Sequence, residues 1–388
     1  MTNRFKFIDS IRGLALFGIL LVNMKSFQSP EFIDTMFSKT SYKDDFDQGL
    51  YYFLQLFIQM KFYPIFSFLF GLSFYLFMIK STLSNFVSRT LFLFLIGIIH
   101  LIFIWYGDIL HVYAITSVFL LFFHKLSSKK VAMWSISLLF AYHLFLFASI
   151  FVSASTIPTA SQSKIALEYI QMYKEAPYFE WVLFRFNIEV LPILQQLPIV
   201  MIPVLGWFLL GLFAGKEKLY ERNHRNIVRI NNWWKISLFL SLITVCLNGL
   251  AILTNLDDDS ITYFLTSLSG LFLAVFYITA IYLLSSRTIF KKILSPFQYV
   301  GRMSLTNYLA QSIMVISFFR FFHMYNTLTL TEGLLISLAL FVIQLGISYI
   351  WLSYFYYGPL EWIWRSFTYQ KISPFFINRE SHKLKIQK

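Results

Sequence analysis

Apolar stretches close to the length of a membrane crossing recur along the chain, separated by short polar turns. A helix needs about 20 apolar residues, rising about 1.5 Å each, to cross about 30 Å of hydrocarbon. The pattern predicts spans at 8–27, 52–79, 89–106, 109–124, 131–153, 190–214, 235–254, 261–285, 303–323 and 333–356. The predicted fold is therefore all-α: a polytopic integral membrane bundle of about ten transmembrane helices. The second span is long for one crossing. Pro64 inside it predicts a kink or an interfacial start. The fourth is short and follows a tight turn, Tyr106-Gly107-Asp108. The first contains Arg12 and Asn23 and lacks a small-residue cleavage site after it, so it is expected to stay as a span.

The polar turns alternate in charge. With the N-terminus inside, the inner turns hold Arg4 and Lys6; Lys80 and Arg89; Lys125, Lys129 and Lys130; Lys216, Lys218, Arg222, Arg225, Arg229 and Lys235; Arg287, Lys291 and Lys292; and Arg365 and Lys371. The outer turns are mixed or acidic, as at Asp44, Asp45 and Asp47 and at Asp257, Asp258 and Asp259. Basic residues concentrate on the cytosolic side of membrane proteins, so both termini are expected inside a bacterial cytoplasmic membrane. One transmembrane domain, 1–388, accounts for the whole chain. Segment 154–189 is an extracytoplasmic loop; Ile165, Tyr169, Met172 and Ala176 fall there at helical spacing, as in a surface helix or a packed lid. Segment 215–234 is a basic cytoplasmic loop facing anionic headgroups, and 357–388 is a cytoplasmic tail.

Composition agrees: 57% of the 388 residues are hydrophobic and 13% charged, and mean hydropathy is +0.64. The net charge of +13 is explained by the positive loops, so no nucleic-acid partner is expected and the bilayer is the first partner. One cysteine, Cys246, excludes a disulfide framework or a cysteine-based metal site within the chain.

Ionisable groups in hydrocarbon are costly and mark candidate sites. In the first span Asp9 and Arg12 are three apart, and Arg12 and Asn23 eleven apart, so all share one helix face. That stripe is either a passage lining or an ion pair with helix–helix packing. Asp108 stands at the N-terminus of the fourth span, where a carboxylate caps a helix. It can also orient His111 one turn on, as in a general base; His100 is a weaker candidate. Further on, Ser304, Asn307 and Gln311 share a face with Arg302 at its inner end, and Glu361 precedes Arg365 by four. Arg12, Arg302 and Arg365 fall near the inner surface, where guanidinium forks suit phosphate. Asn23, Asp108 and His111 fall nearer the outer one. The pattern points to an anionic ligand entering from the cytosol. There is no Walker sequence, no dinucleotide fingerprint and no H-E-x-x-H.

At FIDSIRGLALFGILLVNM (7–24), FSFLFGLSF (66–74), GDILHVYAI (107–115), GRMSLTNYLAQS (301–312) and GPLEWIWRSFTY (358–369), the chain resembles the YeiB-like family, domain of unknown function 418. That family is similar to transmembrane acyltransferases that take acyl groups from cytosolic acyl-CoA. The resemblance implies acyl-CoA as co-substrate, no permanently bound cofactor, and a surface glycan or lipid-linked acceptor. Asp9, Arg12, Gly13 and Asn23 match the opening D-x-x-R-G…N pattern. Related enzymes carry a catalytic His where this chain has Asn23, and an amide is no base near neutral pH. The implied roles are Asn23, Asp108 and His111 as catalytic residues, with Asp9, Arg12, Arg302, Asn307 and Arg365 binding the co-substrate. A transporter or exporter of an organic anion or lipid precursor, or a non-catalytic membrane component, would use the same stripe.

Overall fold

The computed structural model describes residues 6–36, 44–152, 159–254 and 259–377. Arg4, Asp257, Asp258, the start of the 154–189 loop and the end of the 357–388 tail lie outside them. The first half of the chain forms α1 (Lys6–Gln28), α2 (Glu31–Met36), α3 (Asp45–Phe57), α4 (Phe62–Met78), α5 (Leu83–Phe103), α6 (Leu110–Phe123), α7 (Ser128–Ser149), α8 (Thr159–Glu175) and α9 (Tyr178–Arg185). A π-helical turn, Phe186–Val190, leads into α10 (Leu191–Lys216). Then follow α11 (His224–Leu253), α12 (Asp259–Leu284), α13 (Thr288–Arg302), α14 (Ser304–Phe321), α15 (Leu330–Tyr354) and α16 (Pro359–Tyr369). Among the described residues the only β pairing is an isolated bridge between Phe355 and Phe376.

Eight segments of the described residues are long and apolar enough to cross a bilayer, and α6 is a shorter apolar helix. The chain is an all-α polytopic membrane bundle. Local chemistry sets several ends: the Thr82 and Asn223 side chains accept the backbone N–H of Asn85 and Asn226, and Thr329 forms a capping box with Glu332. The second predicted span breaks not at Pro64 but between α3 and α4, where Met60 takes a positive φ of 62°. Pro64 falls in the first turn of α4, where its missing N–H costs no helical bond. The basic stretch predicted as a loop is partly helical, since α11 begins at His224.

α1 is central, packed against α4, α13, α14 and α15, while α10 lies against α4, α6 and α7. The approach of α1 to α13 depends on glycine. A Cβ on Gly13 would overlap the Phe297 carbonyl, and one on Gly301 would overlap that of Asp9. α11 and α12 form a hairpin on the flank, touching the bundle through α1, α3, α4 and α7.

Contacts sort the helix ends into two sets. Lys216 Nζ reaches the His124 carbonyl at 2.7 Å, Arg222 reaches Ser285 Oγ at 2.6 Å, and Trp364 Nε1 reaches the Arg89 carbonyl at 2.8 Å. All of these belong to the ends expected inside. At the other ends Asp47 accepts the Leu330 and Thr331 N–H groups at 3.1 and 3.0 Å.

Residues 159–189 fold onto the bundle as a lid. Glu189 accepts Arg185 Nε at 2.7 Å and the hydroxyls of Tyr169 and Tyr173; Arg185 and Glu189 are fully buried. Arg320 donates to the Tyr173 and Ala176 carbonyls at 3.2 and 2.8 Å and stacks on Trp181. His323 Nδ1 lies 2.6 Å from the Lys174 carbonyl. Tyr169 faces the interior, whereas Ile165 is exposed.

Candidate functional site

The site is assembled by α1, α4, α5, α6, α13, α14 and α16 around a cavity of about 160 Å³. Arg12 comes from α1, at the first third of a helix whose glycine at 13 lets α13 lie against it. Its Nη1 donates to Asp9 Oδ1 at 3.1 Å and the Gly301 carbonyl at 3.4 Å, and its Nη2 to Ser73 Oγ at 3.1 Å. Asp9 is buried against it. Arg302 ends α13 and donates to the Tyr356 carbonyl at 3.2 Å. Arg89, in the second turn of α5, completes a group of three guanidinium groups on the cavity wall. It lies 3.8 Å over the Trp364 ring and 5.2 Å from that of Phe77. No hydrogen bond or ion pair to its side chain is found among the described residues.

Glu361 also lines the cavity, but it is committed to the backbone. Its Oε1 accepts the Leu305 and Thr306 N–H groups at 2.7 and 3.1 Å, and its Oε2 the Thr306 hydroxyl at 2.6 Å. A carboxylate from α16 thus caps α14, at the positive end of that helix. Burial pushes its carboxyl up from the ordinary 4.5, against the opposing pull of those Thr306 and Leu305 donors.

Leu16, Ile19, Phe66, Phe70 and Leu93 form the apolar middle. A further wall is formed by Ile109, Leu110, Tyr113 and Tyr308. Because α6 turns back directly after α5, Ile109 sits at the end of α5 remote from Arg89. Behind that wall is a buried three-residue unit. Asp108 Oδ2 lies 2.8 Å from His100 Nδ1, and its Oδ1 lies 2.8 Å from His111 Nδ1 and accepts the His111 N–H at 3.0 Å. The carboxylate therefore caps α6 and orients two imidazoles together. An ionised carboxylate only accepts, so each Nδ1 carries the proton and each Nε2 presents a lone pair. Both Nε2 atoms are buried without a hydrogen-bond partner among the described residues. An oriented imidazole with an unpaired Nε2 is the arrangement of a general base, although neither histidine itself lines the cavity.

The other sequence candidates fall elsewhere. Asn23 continues the stripe of Arg12, Leu16 and Ile19 one turn beyond the cavity wall. Asn307 lies in a packing seam, its Nδ2 donating to Ser348 Oγ at 3.0 Å and the Val300 carbonyl at 3.3 Å. Arg365 is exposed and stacks on Tyr357 and Tyr369, 5.1 and 5.0 Å away. The residues that sequence reasoning underweighted are Arg89 and His100. By charge pattern Arg89 groups with the inner-loop residues, yet it stands in the second turn of α5. His100 precedes Asp108 by eight residues across a tight turn, a spacing that brings antiparallel helices together.

Fold and cavity define a class: integral membrane helical bundles that gather arginines inside the protein. A family model described as "Protein of unknown function (DUF418)" matches residues 214–371. The chain is 30% identical over 401 residues to an uncharacterized 39.9 kDa protein in the amylase 3′ region of Bacillus acidopullulyticus, covering 98% of each. It is 30% identical over 399 residues to uncharacterized protein YxaH of Bacillus subtilis, covering 96% of each. Uncharacterized protein YeiB of Escherichia coli is 25% identical over 385 residues, with 95% of this chain and 97% of YeiB covered. The chain belongs to this YeiB-like DUF418 family.

Proposed function

We propose that the protein is an acyltransferase of the bacterial cytoplasmic membrane, carrying an acyl group from cytosolic acyl-CoA to a hydroxyl acceptor on the far side. The observation that carries this reading is one cavity with three arginines at one end and an apolar wall backed by His100, Asp108 and His111 at the other. A space of about 160 Å³ suits the reacting arm of the thioester. The nucleotide remains outside, against the basic surface. Arg12, Arg89 and Arg302 hold phosphate oxygens through charge-assisted bonds. Asn23 orients the thioester carbonyl. His111 or His100 takes the acceptor proton on Nε2, the acceptor oxygen bonds to the acyl carbon, and the C–S bond breaks. The CoA thiolate then recovers that proton from the imidazolium. Binding both reactants in one passage supplies the alignment that direct transfer needs.

The test is binding of acetyl-CoA, and CoA thiol release, by purified protein in detergent. Arg12→Ala and Arg89→Ala are each expected to weaken binding about tenfold or more, since a hydrogen bond to a charged group contributes about 1.5–3 kcal/mol. His100→Ala combined with His111→Ala is expected to stop thiol release while binding persists. Binding unchanged by either arginine substitution, or release unchanged without both histidines, overturns the proposal. Flux of an intact organic anion into proteoliposomes would replace it with transport.

A further inference from the structure

A second cavity, about 440 Å³, is lined by different faces of α1 and α4 from the first. It exists because the α11–α12 hairpin packs chiefly on itself and stands off the bundle. Phe7, Ile11, Leu72, Trp233, Leu240 and Val275 are among its walls. Three of its hydroxyls are already engaged: Ser237 Oγ donates to the Trp234 carbonyl at 3.1 Å, Thr279 Oγ1 to the Val275 carbonyl at 2.8 Å, and the Tyr282 hydroxyl to the Glu221 carbonyl at 3.2 Å. Walls that are almost wholly apolar give water little to bond, and at membrane depth the available filling is hydrocarbon.

The rim has the opposite character. Arg222 is exposed, stacks 4.7 Å from the Tyr282 ring and donates to Ser285 Oγ and the Tyr282 carbonyl. Arg229 stacks 4.8 Å from Trp233. Tyr282 and Trp233 are themselves cavity walls, so two guanidinium groups stand directly at its edge. Arg229 is matched by Glu217 at 3.0 Å. That carboxyl is held below its usual range by hydrogen bonds from Ser128 and Arg229. Arg222 has no acidic partner among the described residues, and the exposed Lys218 and Arg225 flank it in sequence.

We propose that this is a binding site for one anionic phospholipid, with an acyl chain in the cavity and the phosphate at Arg222 and its basic neighbours. The pairing of an apolar slot with a net positive rim, in which Arg222 has no acidic partner among the described residues, selects that ligand over a neutral lipid or a soluble anion. The site is separate from the arginine cavity, and its occupancy does not depend on the acyl-transfer reading.

Native mass spectrometry of the full chain, purified in a neutral detergent and titrated with phosphatidylglycerol or phosphatidylcholine of identical chains, tests this. The unaltered protein is expected to retain one phosphatidylglycerol in preference to phosphatidylcholine. Each arginine near a headgroup contributes about fivefold, so Arg222→Gln with Arg229→Gln is expected to remove most of the preference. These are surface positions and leave the cavity intact. Ala132→Trp, which fills the cavity from α7, is expected to reduce retention of both lipids. Equal retention of the two lipids by the unaltered protein overturns the proposal. So does a preference that survives the double glutamine substitution, or retention unchanged by a filled cavity in folded protein.

Discussion

Arg89 shows how a charge is kept inside the bundle without a carboxylate. Its guanidinium lies over the Trp364 face at 3.8 Å, where the ring's negative quadrupole offsets part of its desolvation. The flat, delocalised guanidinium stacks in a way an ammonium does not. Arg89→Lys should therefore weaken acetyl-CoA binding about tenfold despite conserving charge, as a two-hydrogen-bond fork is lost; equal affinities in a binding titration would remove Arg89 from the anion site. Asp108 makes the reverse case. In Asp108→Asn one imidazole Nδ1–H loses its acceptor, which should cost about 1.5–3 kcal/mol in denaturant unfolding. The Asp9–Arg12 pair and the Asp108–His111 contact were legible from helical spacing alone. Lys61 was not. It is fully buried, with Nζ 2.7 Å from the Gln55 carbonyl and 3.4 Å from that of Thr266. No pattern along the chain announces carbonyls contributed by the last turn of α3 and by a helix some two hundred residues away.

At the scale of elements, α13 was the largest omission. Hydropathy treats 288–302 as polar loop because only one side of it is apolar, yet that side packs along α1 through Gly13 and Gly301. A leucine at 301 must displace backbone rather than a flexible side chain. Gly301→Leu is therefore expected to destabilise by about 1–3 kcal/mol, read as a lower unfolding midpoint, and to displace the Arg12 contact with the Gly301 carbonyl. Glu361 couples two elements in the same region. Removing the carboxylate that caps α14, as in Glu361→Ala, should cost about 0.5–2 kcal/mol, while Glu361→Gln keeps an acceptor and loses less. The carboxyl is raised by burial from its ordinary 4.5, so the folded state holds this proton more tightly than the unfolded chain. The stability it contributes is complete at low pH and declines as pH climbs through the raised value. The unfolding midpoint of the unaltered protein should accordingly fall relative to that of Glu361→Gln, whose amide does not titrate, as pH rises from acid.

For the whole molecule, the alternation of basic and acidic turns had already divided the ends into two sides, and the contacts of Lys216, Arg222 and Trp364 keep those groups together. The sequence pattern assigns the basic side to the cytosol. In a Cys246→Ser background, a cysteine at Lys218 should react with a membrane-impermeant maleimide only in inverted vesicles, and one at Glu168 only in intact cells; the reverse labelling would invert the topology. Span number was poorly legible, because hydropathy merges α3 with α4 and says nothing of their break. The clasp over the lid has a consequence for synthesis. Arg185 and Glu189 leave the ribosome long before Arg320 and His323, whose bonds fasten the Tyr169–Ala176 stretch from the other end of the chain. A nascent chain halted before α14 has nothing with which to shut that latch, so protease sensitivity within 164–176 would mark unfinished molecules, and its disappearance would mark completed ones.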